Sequence, residues 1–69
     1  MPDTEVERVI ASIRADIFAG RLRPGDKLPS ISQLAEQHGV GVTTIKTAQT
    51  ALKAMGVLRA EHGRGVYVV

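Results

Sequence analysis

Apolar positions recur with helical spacing in the first part of the chain. Four aliphatic residues, separated by four, three and four positions, fall on one stripe of a helix: Val6, Ile10, Ile13 and Ile17. Thr4 followed by Glu7 is typical of a helix start, and Gly20 is typical of the position just past a helix end. These signals predict a first helix over residues 5–19.

Two further helices are expected on either side of a tight turn. Pro24-Gly25 indicates a turn, and Pro29 favours an extended backbone before it, so a short strand is expected at residues 27–28. Ser30 followed by Gln33 predicts a capping box at the start of a helix over residues 30–38. A third helix is predicted over residues 42–55, with an inward face formed by Ile45, Ala48, Leu52 and Met55.

The spacing of Ala35, Gly39 and Ile45 is that of a helix-turn-helix, which needs a small residue at the crossing, a glycine in the turn and an apolar plug. An ordinary helix hairpin in another small helical protein would also show this triplet. The β-prone runs that follow predict a hairpin over residues 57–69 with a loop at 61–65. Such a hairpin would close the core and extend its loop as a wing, which favours the helix-turn-helix.

The predicted fold is therefore a winged helix-turn-helix, mainly α with a small β-hairpin (α+β). The element order is α-β-α-α-β-β within a single domain at residues 1–69. A chain of 69 residues leaves room for one small domain, and with no cysteine it has no disulfide and no thiol chemistry. A compact binding module is a better expectation than an enzyme with a deep pocket.

Charge is unevenly distributed along the chain, although the net charge is only +2. The first 20 residues carry four acidic and two basic side chains, whereas the remaining 49 carry seven basic and three acidic ones. This asymmetry indicates an anionic partner for the later part of the chain. Solvated surface charges would give the same count, so the charge alone does not decide.

No catalytic or metal-binding constellation is visible. His38 and His62 are the only histidines and fall on separate elements, and no triad spacing accompanies them. The run Gly63-Arg64-Gly65 lacks the strand-to-helix setting of a nucleotide loop. We expect no enzyme activity and no cofactor. The chain also lacks a secretion signal and an apolar run long enough to cross a bilayer, so no membrane association and a cytoplasmic location are expected.

The outward face of the third helix is polar and rich in threonine: Thr43, Lys46, Thr47, Thr50 and Lys53. A plain solvated face would favour better helix formers such as lysine and glutamate, so the threonines favour a functional face. One helix fits the DNA major groove, where threonine offers a hydroxyl and a methyl group. The start of the second helix at Ser30 is suited to a phosphate, although capping alone would also explain this serine. Arg64 is either a solvated turn charge or a contact to phosphate or the minor groove.

Residues 17–69 resemble the winged-helix DNA-binding domain of the GntR family of bacterial transcription regulators. The matching residues run in order and without gaps: Ile17, Gly20, Pro24-Gly25, Leu28-Pro29-Ser30, Leu34-Ala35, Val40, Thr44-Ile45-Lys46, Ala48, Leu52, Gly56-Val57, Gly63-Arg64-Gly65 and Tyr67-Val68. The resemblance implies an operator-binding module that works as a dimer with a C-terminal effector domain. Whether this chain is an excised domain or a minimal protein stays open. No small-molecule ligand is expected within it.

Taken with the resemblance, the residues predicted to bind DNA are Lys27, Ser30, Ser32, Val42, Thr43, Thr44, Lys46, Thr47, His62, Gly63 and Arg64. The chain departs from the family pattern at Ser32, where an arginine is usual, and at Gly41 and Val42, where Ser-Arg is usual. Lys46 keeps a basic group at the third familiar position. Fewer cations mean fewer phosphate contacts, so weaker or differently specified DNA binding is expected.

The predicted function is sequence-specific binding of double-stranded DNA by a transcriptional regulator, most simply a repressor. We expect a homodimer on a two-fold operator, in a bacterial cytoplasm and associated with the nucleoid. The alternative is a winged helix that contacts another protein and has reduced or lost DNA binding. An exposed Val42 beside Thr43 and Thr44 would then belong to a protein interface.

Overall fold

Three helices are followed by an antiparallel hairpin in the computed structural model, which describes residues 4–69. The helices are α1 (Glu5–Phe18), α2 (Ile31–His38) and α3 (Val42–Ala54), and the strands are β1 (Leu58–Glu61) and β2 (Gly65–Val68). This is a winged helix-turn-helix, and the predicted fold class is confirmed. The predicted domain begins at residue 1, but residues 1–3 lie outside the described part of the chain.

The ends of the helices differ from the predicted ranges by one residue. Ala19 and Met55 follow α1 and α3 as C-caps, and Ser30 precedes α2 as its N-cap. The short strand expected at 27–28 is reduced to one bridge between Lys27 and Tyr67. That bridge places the extended segment before α2 beside β2, a pairing that the sequence analysis did not predict.

The hairpin has a shorter loop than the sequence predicts. The register pairs Leu58 with Val68 and continues to a pair between Glu61 and Gly65. Residues 62–64 are therefore the loop, rather than 61–65. The hairpin from Leu58 to Val68 is called the wing below.

The core is entirely aliphatic and lies around α3, which packs against α1, α2 and β1. Its buried side chains are Val9, Ile13, Leu28, Leu34, Ala35, Ile45, Ala48, Leu52, Leu58 and Val68. The stripe predicted on α1 omits Val9, which is fully buried. Of the predicted residues, Ile13 is buried, while Val6, Ile10 and Ile17 are partly buried and pack against the core. Phe18 is 96% exposed and Tyr67 is only partly buried, so neither aromatic residue of the chain is buried in the core.

The inward face of α3 is confirmed at three of its four predicted positions. Ile45, Ala48 and Leu52 are fully buried. The prediction for Met55 is wrong, since this residue lies beyond the last turn of α3 and is 52% exposed. Gln49 is buried instead, with 5% of its surface exposed. The buried face of α3 therefore contains one polar side chain.

The turn between α2 and α3 depends on Gly39, which has φ +66°. In this left-handed conformation the N–H of Val40 reaches back to the carbonyl of Ala35 at 3.0 Å and closes the end of α2. Ala35 is itself buried where α2 meets α3. The turn fixes the angle at which α3 leaves the core, and so the direction of its exposed face.

Leu52→Ala and Met55→Ala test which residues at the C-terminal end of α3 and just beyond it support the core. We expect Leu52→Ala to lower the free energy of unfolding by about 2–5 kcal/mol, because a fully buried leucine leaves a cavity. Met55→Ala should change it by about 0.5 kcal/mol or less, as is usual at an exposed site. Urea denaturation followed by circular dichroism measures both. Equal losses would contradict the placement of Met55 outside the core.

Candidate nucleic-acid interface

The start of α2 is fixed by a reciprocal cap, as predicted. The Ser30 hydroxyl oxygen accepts from the backbone N–H of Gln33 at 3.2 Å, and the backbone N–H of Ser30 donates to Oε1 of Gln33 at 2.9 Å. Ser32 lies in the exposed first turn that follows. This rigid, positively polarised helix start is held at the surface of the domain.

The first turns of α3 carry most of the remaining predicted residues. Thr43, Lys46 and Thr47 are exposed, Val42 is 44% exposed, and Thr44 is half-buried. The Thr47 hydroxyl donates to the carbonyl of Thr43 at 3.0 Å. Its proton is thus engaged, so that a DNA base would meet a hydroxyl acceptor and a methyl group. Gly41, the N-cap, provides no side-chain cap to α3.

The wing loop exposes His62, Gly63 and Arg64. The backbone N–H of Arg64 donates to the carbonyl of Glu61 at 3.0 Å, which closes the turn. Behind the loop, Gly65 has φ +131°, and a Cβ added there would lie 2.8 Å from Cε of Lys27. The glycine therefore lets the Lys27 side chain lie directly over the base of the wing.

Three of the predicted residues meet at one open groove of about 710 Å³ between the start of α2, α3 and the wing. Lys27 and Ser30 line it from the segment leading into α2, and Arg64 lines it from the wing loop. The other eight predicted residues do not line it: Ser32, Val42, Thr43, Thr44, Lys46, Thr47, His62 and Gly63. The predicted site is thus a groove together with an exposed helix face.

The cations of the predicted site are not used in ion pairs within residues 4–69. The ion pairs found there join Arg21 to Asp16 at 2.8 Å and Arg59 to Glu61 at 3.1 Å. Arg59 also lies 5.1 Å from the centroid of the Tyr67 ring. Lys27, Lys46 and Arg64 are therefore not neutralised by a carboxylate in the described part of the chain.

The sequence reasoning missed the glutamines of the groove. Gln33, Gln37 and Gln49 line it, and these are all the glutamines in the chain. The cap at Ser30 was a signal for Gln33 alone.

Over residues 4–69, no helix combines the length and apolarity needed to cross a membrane.

A winged helix with an exposed polar recognition helix and free surface cations defines the class of protein as a nucleic-acid-binding module of the helix-turn-helix type. The sequence matches the family described as bacterial regulatory proteins, gntR family, over residues 5–68. The chain belongs to this family. The match begins at residue 5 and so includes α1, most of which lies before the start of the resemblance at Ile17.

Similar proteins include regulators from Bacillus subtilis. The HTH-type transcriptional regulator LutR is 45% identical over 49 residues, covering 71% of this chain and 22% of that protein. The HTH-type transcriptional repressor YtrA is 32% identical over 62 residues, covering 90% of this chain and 48% of that protein. The chain thus spans less than half the length of these relatives. Both relatives are named as transcriptional regulators of the helix-turn-helix type.

Solved structures of similar fold include DNA complexes. The DNA-binding domain of AraR bound to operator ORX1 has a TM-score of 0.91 and 30% identity, covering 96% of this chain and 80% of that one. The N-terminal domain of AraR with a mutant ORR3 has a TM-score of 0.93 and 29% identity, covering 100% and 99%. The likeness extends over the whole winged helix.

Ser30→Ala and Ser32→Ala separate a structural serine from a surface one. Ser30→Ala removes the cap of α2 and should lower the free energy of unfolding by about 1 kcal/mol. Ser32→Ala, in the exposed first turn, should be neutral or slightly stabilising, because alanine is the better helix former. Thermal unfolding of the two variants beside the wild type checks this. A larger loss for Ser32→Ala would contradict the cap assignment.

Proposed function

We propose that the chain binds double-stranded DNA sequence-specifically as part of a transcriptional regulator. In this proposal α3 enters the major groove, the start of α2 lies against the backbone, and the wing loop lies at the backbone or minor groove. The residues that contact DNA are the eleven predicted from the sequence. The observation that carries the proposal is the set of surface cations without an ion-pair partner within residues 4–69, on the very elements that would face DNA.

Base recognition in this proposal is carried out by small side chains. Val42 and Thr43 lie in the first exposed turn of α3, which is the part of a recognition helix that meets base edges. Val42 offers a methyl contact to thymine, and Thr47 offers an acceptor to an amino group of adenine or cytosine. Because Ser32 and Val42 bring no charge, Lys46 is the charged side chain on the first turns of α3, and its contact in this proposal is to a phosphate.

Repression, a two-fold operator and a cytoplasmic site of action at the bacterial chromosome belong to the same proposal. The relative YtrA is named a repressor, and AraR is bound to operators in its solved complexes. A repressor blocks transcription by occupying DNA, which requires no further chemistry from this domain. Two copies on a two-fold site would double a modest set of phosphate contacts.

A second function, contact with another protein, is favoured by one observation. Val42 is 44% exposed at the start of α3, where an apolar side chain would suit a protein interface. The two functions differ in their response to salt, since phosphate contacts weaken steeply with ionic strength and apolar contacts do not.

The double variant Lys46→Ala/Arg64→Ala tests the DNA-binding face. We expect it to bind labelled duplex DNA about tenfold more weakly, and to reduce the slope of log K against log salt by about 1.8, because two phosphate contacts are lost. Fluorescence anisotropy at salt concentrations from about 50 to 200 mM measures both quantities.

Arg21→Ala is the matched control, since Arg21 is paired with Asp16 and does not line the groove. It should change the affinity less than about twofold, because it removes an exposed intramolecular ion pair and none of the predicted DNA contacts. A double variant that binds duplex DNA as well as the wild type would contradict the assignment of this face to DNA binding. If the wild type binds no duplex DNA even at about 50 mM salt, the protein-contact function is favoured instead.

A further inference from the structure

The groove between the start of α2, α3 and the wing is lined by polar residues that can all donate hydrogen bonds, by apolar residues, and by no acidic residue among those described. Its polar lining residues are Lys27, Ser30, Gln33, Gln37, Gln49 and Arg64. Two of these are cations and three are amides. The start of α2, an eight-residue helix, adds the positive end of its dipole. The groove is therefore complementary to an anion.

Gln49 is a buried polar residue whose side chain makes no hydrogen bond within residues 4–69. It is 95% buried on α3, yet none of the side-chain hydrogen bonds formed within residues 4–69 involves its amide. No buried side-chain nitrogen or oxygen in that range lacks a partner, so the amide atoms of Gln49 keep a small opening to the groove. Because the Gln49 amide makes no hydrogen bond within the described residues, its partner is reached through that opening, and it is either water or a ligand in the groove.

Gln33 lines the same groove. Its Oε1 accepts from the backbone N–H of Ser30, so the cap orients the side chain and leaves Nε2 as the remaining polar atom. Nε2 can only donate. Gln33 and Gln49, from α2 and α3, thus line the groove with amide donors while Lys27 and Arg64 supply positive charge.

We propose that this groove binds a phosphate group and that the Gln49 amide donates a hydrogen bond to one of its oxygens. The inference deepens the proposed function and rests on it where the phosphate belongs to the DNA backbone. A free phosphorylated small molecule would present the same chemistry. In either case Gln49 contacts the ligand, and Lys27 and Arg64 provide the charge that holds it.

Gln49→Leu and Gln49→Glu test the proposal, with Met55→Leu, just beyond the end of α3 and outside the groove, as the control. Gln49→Leu should bind duplex DNA about tenfold more weakly at fixed salt, as expected for a lost hydrogen bond to a charged group. Gln49→Glu should bind more weakly still, because its carboxylate repels phosphate. Met55→Leu should match the wild type. Anisotropy at about 50 mM salt gives these affinities.

Inorganic phosphate is the second probe, followed by amide NMR at constant ionic strength with chloride as the reference anion. Phosphate should shift the signals of residues 27–33, 64–66 and the Gln49 side-chain amide, and Gln49→Leu should weaken these shifts. The unfolding temperature of Gln49→Leu should equal or exceed that of the wild type, because leucine replaces an amide without an intramolecular partner.

The outcomes separate this proposal from DNA binding itself. If Gln49→Leu weakens duplex binding, the phosphate is that of the backbone. If Gln49→Leu weakens only the response to inorganic phosphate, the source is a small molecule. If the wild type binds no duplex but inorganic phosphate still shifts the signals of the groove, and Gln49→Leu weakens these shifts, the proposed function fails and the phosphate site is supported. Unchanged affinity of folded Gln49→Leu for both probes, or a lower unfolding temperature as its only effect, overturns the proposal.

Discussion

The packing of one helix against everything else is the constraint on which this structure depends. Ile45, Ala48 and Leu52 of α3 are fully buried, and α1, α2 and β1 all pack on this helix. With no aromatic side chain in the core, a small domain depends on close aliphatic contact, because each lost methylene forfeits about 0.8 kcal/mol of burial. The same stripe fixes the rotation of α3 about its axis. The face opposite the core is thereby directed outwards.

The residues of α3 that form the core and those proposed to bind DNA lie on neighbouring faces of the helix. Its exposed face carries Lys46 and Thr47, its buried face carries the core, and Gln49 lies between them, buried but open to the groove. The wing covers this edge from one side and the start of α2 from the other. Lys27 lies over the base of the wing in space that a side chain at position 65 would occupy. The groove is therefore a consequence of how three elements close around α3.

The sequence predicted the features that depend on residues close together in the chain, such as helix caps, turns and buried helix positions. The capping box at Ser30, the turn at Gly39 and the buried positions Ile45 and Leu52 follow from spacing and residue type alone. The exchange of Met55 for Gln49 in the buried face did not, because helical periodicity cannot tell which edge of a helix a later hairpin covers. The groove was missed for the same reason: it joins residues 27–33, 49 and 64–66, which are distant in sequence. Which residues touch DNA remains a prediction.

The most direct measurement of the central claim is an amide NMR titration of the chain with a selected duplex. The account predicts that perturbed signals cluster in the first turns of α3, in residues 27–33 and in the wing loop. Signals from the exposed surface of α1 around Phe18 should stay unchanged. Perturbations centred on α1, or none at any position with saturating duplex, would contradict the account.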